Sequence, residues 1–248
     1  MLLVHRPLTL VFLPLVFLAS LAGCSVGRYD EDYAVSLSAY REAAVFAPLA
    51  VLPYESAGGR VQMRLPKQFG GMQQDDGAAQ RVRPPFLKDF PGYDQAREVR
   101  LNAGNAVLSA VVTVGTVAAG QRPYGEVERE ILEQVRGDEE FRKVDWKRGQ
   151  KVAAVAGGPA VWDILSMKGK QEFESVTAGS VERKKWDGTC EIWVSADPKQ
   201  EFCVVIAVRV PDDVAGALEA PPAELAELIA RTVTFTAAVE EKPATAAP

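Results

Sequence analysis

The chain has 248 residues, 48% hydrophobic and 25% charged with a mean hydropathy near zero, which excludes collagen-like, coiled-coil and wholly disordered classes and leaves a globular domain with extensions. Twenty-eight Lys and Arg against 33 Asp and Glu give a net charge of −5, so no overall basic field gathers phosphates and no nucleic-acid partner is expected. The one histidine is His5, and a chain processed beyond it lacks the commonest general base and metal ligand.

Met1 to Cys24 read MLLVHRPLTLVFLPLVFLASLAGC: a basic start at Arg6, an apolar run interrupted by Pro14, then small residues. The run is short for a bilayer core about 30 Å thick, so residues 1–23 are expected to be a secretory signal peptide rather than a membrane-spanning helix. Leu21-Ala22-Gly23-Cys24 resembles the lipobox of bacterial lipoproteins. That resemblance implies cleavage before Cys24 and acylation, with palmitate among the acyl groups. Acyl chains hold a protein at a bilayer by about 0.8 kcal/mol per buried methylene. The bland alternative is an ordinary signal peptide with an incidental cysteine. Ser25 in place of Asp implies, in a Gram-negative cell, the periplasmic side of the outer membrane. Processing leaves 27 basic against 33 acidic residues, a charge of −6.

Residues 24–57 are expected to be the lipidated N-terminus and a tether with a short helix before Pro48 and Pro53. The globular domain is expected over 58–238. It opens with a strand at 60–65, where Val61, Met63 and Leu65 alternate with Arg60, Gln62 and Arg64; Phe69 folds back as a core plug. Residues 67–97 hold four glycines and three prolines with no period, so they read as a long loop, whose Phe86, Phe90 and Tyr93 ask for something to pack against. Residues 107–117 are β-branched enough for one or two buried strands. Helix 124–136 follows Pro123, with Val127, Ile131, Leu132 and Val135 as its apolar stripe. Strands are expected at 152–155, 160–167 and 172–176, divided by Gly157-Gly158-Pro159 and Lys168-Gly169-Lys170. A hairpin then carries Cys190 and Cys203, its second strand, 202–210, central to the sheet. Pro221-Pro222 starts a helix at 223–231 facing Leu225, Leu228 and Ile229 inward, and a strand at 232–237 closes the domain. The tail, 239–248, is too polar and Pro-Ala-rich to order itself.

If the hairpin turn is Ser195-Ala196-Asp197-Pro198, Cys190 faces Cys203 and an exported protein can oxidise the pair; a shifted turn leaves buried free thiols. The strand ending in RLPKQF, the mid-chain helix, the Gly-Gly-Pro-Ala-Val-Trp step, the long hairpin and a last helix running into TVTF together resemble the PsbP-like fold over about 58–237. That resemblance implies an α+β protein, an α/β/α sandwich with a central mostly antiparallel sheet. It also implies a binding or accessory module, with no active-site residue to transfer.

Few residues suggest chemistry. Arg183-Lys184-Lys185-Trp186 is the one tight basic cluster and reads as a possible binding surface for phosphate headgroups or an acidic partner, or else as a solvated turn. Trp146, Trp162, Trp186 and Trp193 line a cleft or fill the core. Asp75-Asp76 and Asp138-Glu139-Glu140 lack calcium-loop spacing, and no cofactor, metal or catalytic residue is assigned. The expected function is a lipid-anchored, non-enzymatic envelope protein binding an unknown envelope protein or small ligand; the alternative is a carboxylate-dependent hydrolase of cell-wall or polysaccharide material.

Overall fold

The computed structural model describes residues 33–37, 40–71, 84–155 and 160–236; the signal, Cys24, residues 72–83 and the tail lie outside the described residues. The chain divides into two compact units, 1–47 and 48–248. In the first, 33–37 and 40–45 are helical, with Phe46 N–H bonding back to the Glu42 carbonyl.

In the second unit β1 (Tyr54–Ser56) pairs with β2 (Val61–Met63), and β10 (Thr234–Phe235) adds to the other side of β2. The alternation at 60–65 is real, with Val61, Met63 and Leu65 all buried. It belongs to this small sheet, and the turn Ala57–Gly59, with Gly58 and Gly59 at φ of +67° and +83°, folds residues read as tether onto it. Phe69 is 2% exposed, a plug as its position suggested.

The main sheet contains β3 (Gly70–Gly71), β4 (Tyr93–Ala103), β5 (Ala106–Ala118), β6 (Lys147–Val152), β7 (Ala160–Thr177), β8 (Ser180–Ala196) and β9 (Phe202–Pro211) in the order β3-β4-β5-β9-β8-β7-β6, every neighbouring pair antiparallel. Residues 93–97, read as loop, begin β4, whose polar side chains on both faces conceal a strand that pairs with β5 over its length. Residues 107–117 are one strand. The strand expected at 152–155 lies instead at 147–152, a polar sheet edge without alternation. The two strands expected at 160–167 and 172–176 are one, because Gly169 at φ +155° carries the chain straight through. The far end of β7 also pairs with the start of β5, Val107 opposite Val176, where β9 has ended at Pro211.

The β8–β9 turn is Asp197 to Glu201, with Asp197 Oδ1 accepting Glu201 N–H at 2.5 Å. This turn pairs Ala196 with Cys203 and Cys190 with Arg209, so the disulfide expected between Cys190 and Cys203 does not form. Six residues of strand, about 20 Å at 3.3 Å per residue, separate the two thiols. Both are free and buried.

α1 (Tyr124–Arg136) lays Val127, Ile131 and Val135 against Leu165, Met167, Cys190, Ile192, Val194, Cys203, Val205 and Ala207 on one sheet face. A short helix, α2 (Asp212–Ala215), follows β9, and α3 (Pro222–Arg231) buries Leu225, Leu228 and Ile229 on the alternate residues of β8 and β9. The chain is therefore an α+β protein, with a mostly antiparallel sheet between helices on both faces. Each fully buried Val, Leu or Ile contributes about 1.5–3 kcal/mol, so α1 is held firmly enough to anchor side chains at both its ends.

Candidate functional site

At its N-terminal end, Tyr124 and Glu128 stand four residues apart and so share the helix face turned to β6 and β7. Opposite them is Asp163 of β7. Lys147 and Gln150, three steps apart in β6, pair with Ile164 and Trp162, two steps apart in β7, and this bulge brings Arg148 and the Gly149 N–H, at φ +67°, up to the carboxylates. Gly149 N–H donates to Asp163 Oδ1 at 2.6 Å and the Tyr124 hydroxyl donates to Oδ2 at 2.8 Å. One Arg148 nitrogen donates to both Glu128 oxygens at 3.0 and 3.1 Å and lies 3.5 Å from Asp163.

Glu128 and Asp163 are 5% and 8% exposed. Burial, followed by the shared hydrogen bond with Asp163, pushes the Glu128 carboxyl up to about 7. Burial acts on Asp163 in the same direction, but the hydrogen bonds from Glu128, Gly149 and Tyr124 outweigh it and hold that carboxyl below its ordinary range. Burial, reinforced by Asp163, raises the Tyr124 phenol. The two carboxyls are thus shifted in opposite directions, Glu128 upward and Asp163 downward. Arg148 closes the pair: its side chain is 60% exposed while those of Glu128 and Asp163 are 7% and 11% exposed.

The C-terminal end of α1 is open. Residues 84–90 cross it, Lys88 N–H donating to Gln134 Oε1 at 2.6 Å, and Leu87 and Phe90 enter the core. Phe86 stays half-buried, edge-on to Phe141 with ring centroids 5.5 Å apart. Between this segment and Glu133, Gln134, Gly137 and Asp138 lies a groove of about 540 Å³. A second cavity of about 150 Å³ shares Pro85, Phe86 and Asp138 with it and continues to Phe141, Lys170, Gln171, Glu172 and Lys185.

This second cavity lies beside the stretch of β7 between its pairings with β6 and β5. A Cβ at residue 169 would collide with the Glu140 carboxylate, so Gly169 admits it, and Glu140 Oε1 accepts Lys170 N–H at 2.7 Å. Gln171 is 3% exposed; its Nε2 donates to the Gly188 carbonyl at 3.1 Å, which aims Oε1 away, and Oε1 has no partner. A buried acceptor left this way costs about 1–3 kcal/mol. Lys88, Lys170 and Lys185 have no ion-pair partner among the described residues.

Of the residues singled out in sequence, the basic cluster is not a turn. Arg183, Lys184, Lys185 and Trp186 lie within β8, and alternation sends them to opposite faces. Lys185 lines the small cavity, Lys184 pairs with Glu182 at 2.6 Å, and Trp186 is half-buried. Trp162 and Trp193 pack together, ring centroids 6.1 Å apart, and Trp146 joins the α1 core. Three residues that sequence reasoning passed over matter most: Glu128, Asp163 and Gln171. The four-residue spacing of Tyr124 and Glu128 was the available signal for the first.

No family model matches the chain, and no curated protein is detectably similar. Three solved structures are similar to the chain at low identity. The Ran-binding protein Mog1p of Saccharomyces cerevisiae is 12% identical over 75% of this chain and 96% of its own, with a TM-score of 0.37. LpqN of Mycobacterium tuberculosis, described as involved in cell envelope biogenesis, is 14% identical over 76% and 92%, with a TM-score of 0.35. A protein of Bacteroides thetaiotaomicron is 12% identical over 75% and 48%, with a TM-score of 0.34.

Proposed function

We propose that this chain is a lipid-anchored envelope protein, held outside the cytoplasm through acylated Cys24, that binds a ligand at the C-terminal end of α1 without transforming it. The observation that carries the reading is the groove: an open space with aromatic and charged walls, in a domain whose buried carboxylate pair is closed under Arg148. The basic character of Lys185 contributes to this site, while Arg183, Lys184 and Trp186 do not join it as one patch. The expected anchor requires labelled palmitate to enter the protein and to be lost in Cys24→Ser, with release from the membrane fraction. Turnover of any substrate by the purified protein, abolished by Glu128→Gln, would replace binding by catalysis.

That replacement is the second reading. A protonated Glu128 beside an ionised Asp163 is the polarity that glycoside hydrolysis uses, with Glu128 as acid. It requires Arg148 to swing off the pair and the two carboxyls, which share a hydrogen bond here, to part by the roughly 5–9.5 Å that flanks a glycosidic bond. Release of sugar from cell-wall or polysaccharide material by the wild type, and its loss in both Glu128→Gln and Asp163→Asn, is the result that supports it.

A further inference from the structure

We infer that Val51 and Leu52 form an apolar tip that dips into the lipid bilayer carrying the acylated Cys24. The inference rests on the anchor proposed above and adds a second contact with the same membrane.

The ladder itself makes the tip. Leu49 pairs with Pro66 and Tyr54 with Met63, so the four residues Ala50 to Pro53 stand opposite only two, Arg64 and Leu65. The surplus has no place in the ladder and is pushed out of it. Its base is held firmly: the Ala50 N–H donates to the Leu65 carbonyl at 2.8 Å, the Lys67 N–H to the Pro48 carbonyl at 3.0 Å, and Arg64 Nε to the Ala50 carbonyl at 2.6 Å. Pro53 stiffens the return into β1. Around this base Leu49, Met63 and Leu65 are buried, whereas Val51 is 85% and Leu52 80% exposed, the largest values for any large apolar side chain among the described residues.

The distribution of apolar exposure along the chain points to what covers the tip. Among the described residues nine large apolar side chains are exposed, and six of them, Tyr33, Val35, Tyr40, Val45, Val51 and Leu52, fall within residues 33–52. Single exposed apolar residues are ordinary, but a concentration of them marks a surface with something against it. This one begins nine residues after Cys24, in the part of the chain that the anchor keeps next to lipid. Twenty-seven residues separate Cys24 from Val51 and, with 33–37 and 40–45 helical, span up to about 70 Å, so the tip reaches the bilayer without strain. An aliphatic pair on a tip offers little area and no directional contact, which suits fluid acyl chains better than a fixed protein epitope. Apolar groups of this kind enter about 5–10 Å, at the boundary of headgroups and acyl chains.

The test places an environment-sensitive fluorophore on Leu52→Cys in the full acylated protein, reconstituted into vesicles of phosphatidylethanolamine and phosphatidylglycerol that include a lipid spin-labelled near the headgroup end of its acyl chain. Cys190 and Cys203 are buried and are expected to take no label. The control carries the fluorophore on Val181→Cys, 60% exposed in β8. Both substitutions replace exposed side chains and do not threaten folding. The expected result is a blue-shifted emission at residue 52, quenched by the spin-labelled lipid about threefold more than at residue 181, with the difference abolished by Val51→Asp. Protein that takes up palmitate and floats with the vesicles while the label at residue 52 stays in water overturns the inference and leaves the anchor standing. Equal quenching at the two positions also overturns it. Shielding of the label at residue 52 in intact cells but not in vesicles assigns the tip to a protein partner and overturns it as well. Protein that takes up no palmitate and does not float removes the anchor and the inference together.

Discussion

The two ends of α1 solve the same problem in opposite ways. At the N-terminal end, Tyr124, Glu128, Asp163, Arg148 and the Gly149 N–H satisfy one another, and the polar groups face inward. At the C-terminal end the helix stops at Gly137 beside Phe86, and charged side chains and an aromatic ring border open space. The same helix, gripped in its middle by Val127, Ile131 and Val135, therefore has one end where polar groups satisfy one another and one end beside open space. Burial of ionisable groups is tolerated where partners are complete, and an incomplete set of partners marks where something else belongs.

The largest expected effect lies at the closed end. Asp163→Ala leaves the Tyr124 hydroxyl and the Gly149 N–H without this acceptor, frees the β6 bulge, and leaves Glu128 with Arg148 as its remaining hydrogen-bond partner. A loss of about 3 kcal/mol is expected in urea unfolding. Its counterpart at the open end, Phe86→Ala, removes a half-buried ring and is expected to cost no more than about 1.5 kcal/mol. Equal costs would erase the distinction between the ends.

The next effect is one of pH. Glu128 titrates near 7 in the folded chain and near 4.5 when unfolded, so the folded state binds more protons between those values. Its contribution to stability is full below pH 4.5 and is lost as the pH rises through 7. Asp163, held low, acts in the opposite sense and only at pH values below its ordinary range. Thermal unfolding of the wild type is thus expected at a Tm several degrees higher at pH 5 than at pH 8, and Glu128→Gln is expected to flatten that difference. A wild-type profile identical to that of the variant would show that Glu128 is not protonated inside.

A smaller effect concerns Cys203, which lies behind the closed end. Burial and the nearby Glu128 push its thiol up to about 12, while burial, slightly offset by Arg209, raises Cys190 to about the same value. A maleimide added to native Cys24→Ser protein is expected to label neither, and two thiols are expected to react after denaturation without reductant. A mass two units lower under non-reducing conditions would restore the disulfide. The smallest effect is that of Gln171→Leu on stability, expected within about 1 kcal/mol, because the orphaned Oε1 is removed together with one hydrogen bond.

Much of this was legible in the chain. The stripe of α1, the β-branched run of β5 and the apolar run of β9 were read directly, because a side chain buried on one face leaves a period in the sequence. β4 was missed because Tyr93, Asp94, Gln95, Arg97 and Arg100 leave no such period, and β6 because Lys147 to Lys151 are exposed throughout. The pairing of the cysteines failed on where the turn sits: moved from 195–198 to 197–201, it carries the partner of Cys190 six residues along β9, from Cys203 to Arg209. For the sites, composition told only that the one histidine is His5.

The sequence by itself determined the α+β class, the helix that carries both ends of the site, and the lipobox-like segment that motivates an envelope address. These depend on local patterns, each readable within a window of some ten residues. Only the tertiary structure decided that Glu128 meets Asp163 across 35 residues, that Arg148 arrives through a bulge to close them, and that Lys185 and Gln171 gather beside Phe86. Such meetings depend on strand register and on which neighbours remove water. A carboxyl near 7 and an amide oxygen without a partner are properties of that burial and not of the residues alone.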